Sequence, residues 1–262
     1  MLRTEVYDDV TRVVMSTRLT RALGYAASAY LVRGALVDVG FPAVAGEVAA
    51  YLDATRPGGV LLTHHHEDHA GNVELVAHRG LPIGASDATL ALLRALPPLG
   101  AYRRMIWGTP PPLRTPIERY ENDALRLLPA PGHSADHHVV WDAERETLIA
   151  GDLFLSVKVR AAHPGEKPRQ LTRTLRDIAA LRPARMFDAH RGLVRDPVPT
   201  LLAKADWLDD LITRIDRRIA DGSSDRAIAR ALLGREDLAH YVSLGRMSRI
   251  NLVRALRATR AA

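Results

Sequence analysis

The sequence predicts an α/β chain closed by a small helical domain, and three observations predict it. Short apolar runs of strand length alternate with stretches of helical composition over residues 1–195. Histidines and aspartates stand just past four of those runs, at His64, His133, Asp152 and His190. Beyond Pro197 and Pro199 the composition changes to long helical spacing, which divides the chain into 1–195 and a helical cap, 196–262.

The elements follow in order. Runs rich in β-branched residues at 10–15, 28–32 and 35–39 read as strands, the last two as a hairpin with Gly34 at its turn, where a positive φ is easily met. Residues 43–55 have helical composition and stop before Pro57-Gly58-Gly59. The apolar run 59–62 is a strand, 72–78 and 87–96 are helices, and Asp87 is the expected N-cap of the second. From 97 to 116 the pattern dissolves into proline, glycine and bulky side chains, among them Tyr102, Met105 and Trp107. That stretch is read as a loop folded over a site or pinned to the fold or a dimer partner. Strands dominate 125–150, and a helix at 170–181 is closed by Pro183. In the cap, Leu201, Leu208, Leu211, Ile212, Ile215 and Ile219 repeat at helical spacing until Asp221-Gly222-Ser223-Ser224, with further helices at 225–233 and 248–257.

The chemistry concentrates in Thr63-His64-His65-His66-Glu67-Asp68-His69-Ala70-Gly71-Asn72. Imidazoles and carboxylates this crowded cost stability unless something binds them, and a divalent cation removes the conflict. If the chain leaves the 59–62 strand still extended, His64 and His66 point the same way and His65 points elsewhere. Asp68 and His69, at the turn before the next helix, then face a second ion, and two ions about 3.5–4 Å apart clamp the attacking and leaving oxygens of a hydrolysis. Three further ligand types, His133 after the 125–128 run, Asp152 after 148–151 and His190 after 186–189, each sit just past a strand. Such positions hold a side chain more firmly than a long loop does.

This order of residues, H-x-H-x-D-H followed by a His, an Asp and a His, resembles the metallo-β-lactamase-fold hydrolases over residues 10–195, and all seven positions match. The resemblance implies a four-layer αββα sandwich, with His64, His66 and His133 on one ion, Asp68, His69 and His190 on the other, and Asp152 bridging them. Two zinc ions per chain are the default for imidazole and carboxylate ligands, with iron or manganese also tolerated. The histidine-rich run most resembles the glyoxalase-II-like thioesterases. The cap resembles, more weakly, the helical or winged-helix tail on one group of β-lactamase-like hydrolases.

The implied reaction is attack of a metal-bound hydroxide on a carboxylic ester or thioester carbonyl. Coordination lowers the pKa of water to about 7, and the residual positive charge favours an oxyanion. Asp68 is the catalytic candidate, orienting the nucleophile or accepting a proton. Two other enzyme classes stay open: an endoribonuclease or phosphodiesterase using the basic tail, and a mononuclear iron thiol dioxygenase. A lactonase is disfavoured by the absence of any tyrosine between Asp152 and His190, and a true β-lactamase with a cysteine ligand by the absence of cysteine.

The expected substrate is a small anionic molecule. Lys158 and Arg160 alternate onto one side of the segment after Asp152, and Trp107 belongs to the loop expected over the site mouth; these three are the substrate-binding candidates. The formal charge of +6 permits a nucleic-acid partner, but arginine far outnumbers lysine and the basic residues are spread along the chain, so nucleic acid is the less favoured partner. The last helix fails to separate a basic face from its apolar one, as a DNA-reading helix should, and apolar spacing more often reports burial, so a cap packed on the metal domain or on a homodimer partner is the favoured reading. The acidic N-terminal residues and the lack of a long apolar stretch lead to the expectation of a cytoplasmic protein without a membrane span.

Overall fold

Two β-sheets form the frame. In the first, β1 (Leu2–Tyr7), β2 (Val10–Met15), β3 (Ala27–Val32) and β4 (Ala35–Val37) run antiparallel, and β5 (Gly59–Leu61) and β6 (Ile83–Gly84) join in parallel, in the order β1-β2-β3-β4-β5-β6. The second has the order β11-β10-β9-β8-β7, from β7 (Leu125–Pro129), β8 (His138–Asp142), β9 (Thr147–Ile149), β10 (Arg185–Asp188) and β11 (Gly192–Val194). Its parallel pair is β9 with β10. This computed structural model describes residues 1–236, 240–241 and 243–259.

The sheets pack face to face because each strand alternates its side chains. Val10, Tyr30, Val32, Val37 and Leu61 from the first meet Leu125, Val140, Ile149 and Phe187 from the second in one buried cluster. Two polar contacts pin the sandwich: the Tyr30 hydroxyl donates to the carbonyl of Asp188, and Arg33 pairs with Asp142 at 2.7 Å. Arg33 sits with Gly34 in the β3–β4 turn, and both have positive φ, the backbone a tight hairpin turn requires.

On the outer face of the first sheet Val13, Met15, Ala29 and Leu36 pack against helices. Those helices are α2 (Ala45–Thr55), α4 (Val73–His78), α5 (Asp87–Arg94) and α6 (Ala101–Trp107); the shorter α1 (Arg18–Ala22) and α3 (Glu67–Ala70) lie in the connections. Three details depart from the sequence expectation. β1 was not foreseen, because Arg3 and Glu5 interrupt any apolar signal on a strand that is largely exposed. The N-cap of α5 is Ser86, whose hydroxyl accepts from the Thr89 amide at 3.1 Å, while Asp87 falls in the first turn. The 97–116 stretch carries a helix, α6, held by Ile106 and Trp107 in the core.

The chain divides into two compact units. The first, just described, comprises Met1–Pro129, Asp136–Asp152 and Ala184–Arg195; the second comprises Ala130–Ala135, Leu153–Pro183 and Asp196–Ala262. In the second unit α7 (Pro168–Ala180) and α8 (Pro197–Ala220) each begin with proline, whose missing N–H costs nothing in the first turn. Of these α8, with α9 (Asp225–Leu232) and α10 (Arg249–Ala258), buries Leu211, Ile212, Ile215, Ile228, Leu252, Val253 and Leu256 together. Ion pairs of Arg169 with Asp216 and of Arg176 with Asp206 and Asp209 join α7 to α8. Among the described residues no helix is long and apolar enough to cross a membrane.

Candidate metal centre

The seven residues singled out by sequence lie at strand ends and in the short segments that follow them. The chain leaves β5 through Thr63 and His64, stays extended at His66 (φ −60°, ψ 147°), and then enters α3, so Asp68 and His69 are helical. Asp152 follows β9, and His190 lies in the turn between β10 and β11. Asp68, His69, Asp152 and His190 converge, each offering one ligand atom within 4.8 Å of the others. His69 Nε2 and His190 Nε2 stand 3.2 and 3.1 Å from Asp152 Oδ1, and both are 3.9 Å from Asp68 Oδ2. His64, His66 and Asp152 gather by the same measure, with His64 Nε2 facing His66 Nδ1 at 2.9 Å. Asp152 is common to both groups.

The partners of these rings decide which nitrogen faces inward. His69 donates from Nδ1 to Asp38 at 2.8 Å, which leaves the lone pair on Nε2. Asp38 also accepts from the Thr63 amide and hydroxyl, and Thr63 Oγ1 lies 3.1 Å from His64 Nδ1, so one buried carboxylate orients two imidazoles. His190 donates from Nδ1 to the carbonyl of Ala26 at 2.7 Å. Its turn is fastened by Asp188 Oδ1, which accepts from the amides of His190 and Arg191, and by Arg12, which donates to the His190 carbonyl at 2.9 Å. His137 accepts the Asp152 amide through Nε2 at 3.0 Å, and burial pulls its pKa down to about 4, so it stays neutral. His65 turns away to Asp136, at 2.9 Å.

The cluster is electrostatically built for a cation. Burial opposes a charge on His69, yet the carboxylates of Asp152, Asp38 and Asp68 outweigh it and push the pKa well above the usual imidazole value. Burial likewise opposes a charge on His190, and Asp152 and Asp68 still raise its pKa to about 9. Burial lifts the Glu67 carboxyl despite the Arg103 guanidinium beside it. Asp68 Oδ1 and His69 Nε2 are buried without a hydrogen bond to any described residue. Zinc ligands about 2.0–2.1 Å from a tetrahedral ion stand about 3.3 Å apart, which the 3.1–3.9 Å spacings here approach. The residues present therefore fit a divalent ion.

A family model described as "Metallo-beta-lactamase superfamily" matches residues 23–190, most of the chain. The chain belongs to this superfamily. A hydroxyacylglutathione hydrolase of Methylococcus capsulatus is 35% identical over 156 residues, 57% of this chain and 55% of that protein. The chain thus spans about half the length of the curated relatives it matches. A metallo-beta-lactamase from Pontibacter korlensis superposes with a TM-score of 0.61 at 15% identity, over 80% of this chain and 100% of that one. A metallo-beta-lactamase family protein of Thermus thermophilus does so at 0.59 and 18% identity, over 100% of this chain and 94% of that one. At these identities the two structures speak for the fold alone. They bear out the expected metallo-β-lactamase α/β class with its two sheets and helical C-terminal part.

The remaining candidates of this superfamily member fall in different places. His133 belongs to the second unit, in the segment Ala130–Ala135, with Nδ1 3.9 Å from Glu166 Oε1. Lys158 and Arg160 are exposed in the same unit, on a segment that forms no strand, so the alternation expected there has no backbone to carry it. Trp107 is buried in the helix-side core, its ring 4.8 Å from Phe41 and 6.2 Å from Tyr25, which sets aside the expected substrate contact. Sequence reasoning missed Asp38, Arg12, Asp136 and Arg103. Asp38 alone carried a signal, a carboxylate inside the apolar 35–39 run, where a charge needs a reason.

Proposed function

We propose that this chain is a metallohydrolase that holds two divalent ions, zinc by preference, and cleaves a carboxylic ester or thioester of a small anionic molecule. The observation that carries the proposal is Asp152, one buried carboxylate common to both ligand groups. A shared carboxylate is the economical way to hold two cations side by side. The hydroxyacylglutathione hydrolases among the relatives support the thioester class.

In this proposal His64, His66 and His133 would hold the first ion and Asp68, His69 and His190 the second, with Asp152 shared. When bound, the ions supply Lewis acidity toward a carbonyl oxygen and make water a stronger acid. The chain's own residues do the rest. Asp38 and Thr63 fix the ring orientations of His69 and His64, so no reorientation is needed as charge develops. Asp68, with one oxygen toward the cluster, would orient the nucleophile or accept its proton. Lys158 and Arg160, both exposed, are proposed to meet the negative group of the substrate.

The test is a panel of S-acyl thiols, lactones and phosphodiesters offered to purified protein whose metal content has been counted. Turnover of S-acyl thiols with two zinc per chain supports the proposal. One iron per chain with thiol-dependent oxygen uptake would replace it with the dioxygenase class, and turnover of phosphodiesters alone with the nuclease class.

A further inference from the structure

Arg103 lies in α6, outside every motif that marks the metal centre, yet its side chain is directed at it. Nε donates to Glu67 Oε1, and Nη2 stands 3.6 Å from Asp68 Oδ1. The second distance is too long for a hydrogen bond but is a close charge contact. Glu67 and Asp68 are adjacent residues of α3, both almost wholly buried, and the Arg103 side chain is only 17% exposed. Two neighbouring carboxylates in such a setting repel each other and pay for desolvation unless a cation sits between them.

The two oxygens of Asp68 differ in what they face. Oδ2 is 3.9 Å from both His69 Nε2 and His190 Nε2, whereas Oδ1 makes no hydrogen bond with a described residue and faces the guanidinium. The arginine is itself well anchored. Trp107 and Ile106 fix one side of α6 in the core, and the Tyr102 hydroxyl donates to that of Tyr25 at 3.0 Å on the adjoining turn.

We infer that Arg103 is a positioning residue for the second ion: braced by Glu67, it holds Oδ1 of Asp68 and so presents Oδ2 to the space shared with His69, His190 and Asp152. The inference rests on the two-ion reading above and assigns to Arg103 a role that none of the ligands can perform. A lysine would keep the charge but lose the planar fork that engages Glu67 and Asp68 together.

Zinc titrations by calorimetry, against a competing chelator, on the full-length protein test it with Arg103→Met, Arg103→Lys and Glu67→Gln. Supporting groups of this kind change metal affinity by about 10–100-fold. Arg103→Met is expected to weaken the second zinc by about that factor and leave the first unchanged. Arg103→Lys should restore part of the loss, and Glu67→Gln, which loosens the brace but keeps the arginine, should fall between Arg103→Met and the parent. A merely structural role would weaken both ions together with the thermal midpoint, and that result overturns the inference. So does an unchanged second zinc accompanied by a raised KM for an anionic thioester, which would make Arg103 a substrate contact. If Arg103→Met does not fold, the Lys and Gln variants decide on the same readout. Uptake of a single ion by the parent protein overturns the two-ion reading and the inference with it. Two ions in the parent and no change in any variant overturn the inference alone.

Discussion

His69 and Asp38 are joined at 2.8 Å, Nδ1 to Oδ2, in a pocket from which both side chains are almost wholly excluded from solvent. The pair sets the imidazole tautomer before any ligand arrives. Asp38 occupies a left-handed backbone position (φ 62°), which asparagine also tolerates, so Asp38→Asn preserves the local chain. It removes the charge that raises the affinity of His69 for a cation. Asp38→Asn should therefore weaken zinc binding by about 10–100-fold at constant fold. Equilibrium zinc competition with circular dichroism as control checks this, and unaltered affinity would refute it.

Removing the ions should destabilise the chain. Asp68, Asp152, His69 and His64 are buried together, and without a metal ion the Arg103 guanidinium beside Asp68 offsets only part of their charge. A ligand held at a hundred times its Kd adds about 2.7 kcal/mol to the folded state, and in a chain of this size each kcal/mol moves Tm by about 2–4 °C. Dialysis against a chelator should lower Tm by about 5–10 °C, and zinc should restore it. Identical melting curves with and without zinc would mean that the cluster holds none.

Much of this molecule was legible in its sequence, for physical reasons that also explain the gaps. His64, His66, Asp68, His69, Asp152 and His190 could be expected to meet because each follows an apolar run, and strand ends in a layered α/β fold gather along common edges. The hairpin at Gly34 was legible because its turn needs a conformation that glycine supplies. β1 was not, since a strand paired at an edge with an exposed face has no apolar period to show. α6 was hidden by the prolines around it, and with it the burial of Trp107 and the placement of Arg103. Contacts such as Arg12 to His190, 178 residues apart, join positions that no local pattern connects.

Acid should find a weak point at Asp9. Hydrogen bonds from Arg185, at 2.7 Å, and from Arg145 lower its pKa to about 2 from an ordinary value of 3.8. A carboxyl with a depressed folded-state pKa contributes stability that is present above its unfolded value and is lost as pH falls through the folded one. The contribution is therefore complete above pH ~5, mostly lost by pH ~2 and gone near pH ~1, and solvent screening holds it to about 1–2 kcal/mol. Asp9→Asn should lower the unfolding free energy at pH 7 by that amount and by only a small fraction of it near pH 2. A deficit that persists at the acid end would point to packing rather than charge.

The turn that carries His190 rests on a glycine for two separable reasons. Gly192 has φ 93°, and a Cβ there would stand 2.6 Å from Arg12 Nη1 and 2.8 Å from Cζ. Arg12 cannot easily give way, since Nε donates to Ser28 Oγ at 2.9 Å while Nη2 holds the His190 carbonyl. Gly192→Ala should cost about 1–3 kcal/mol from backbone strain alone and more from the displaced guanidinium. The second part is separable, because the three atoms nearest the added methyl all belong to Arg12 and are gone in an Arg12→Ala background. The double-mutant cycle, read from denaturant unfolding, should then show a coupling of about 0.5–3 kcal/mol, with the pair costing less than the sum. Additive losses would place the whole effect in the backbone and take Arg12 out of the account of how His190 is held.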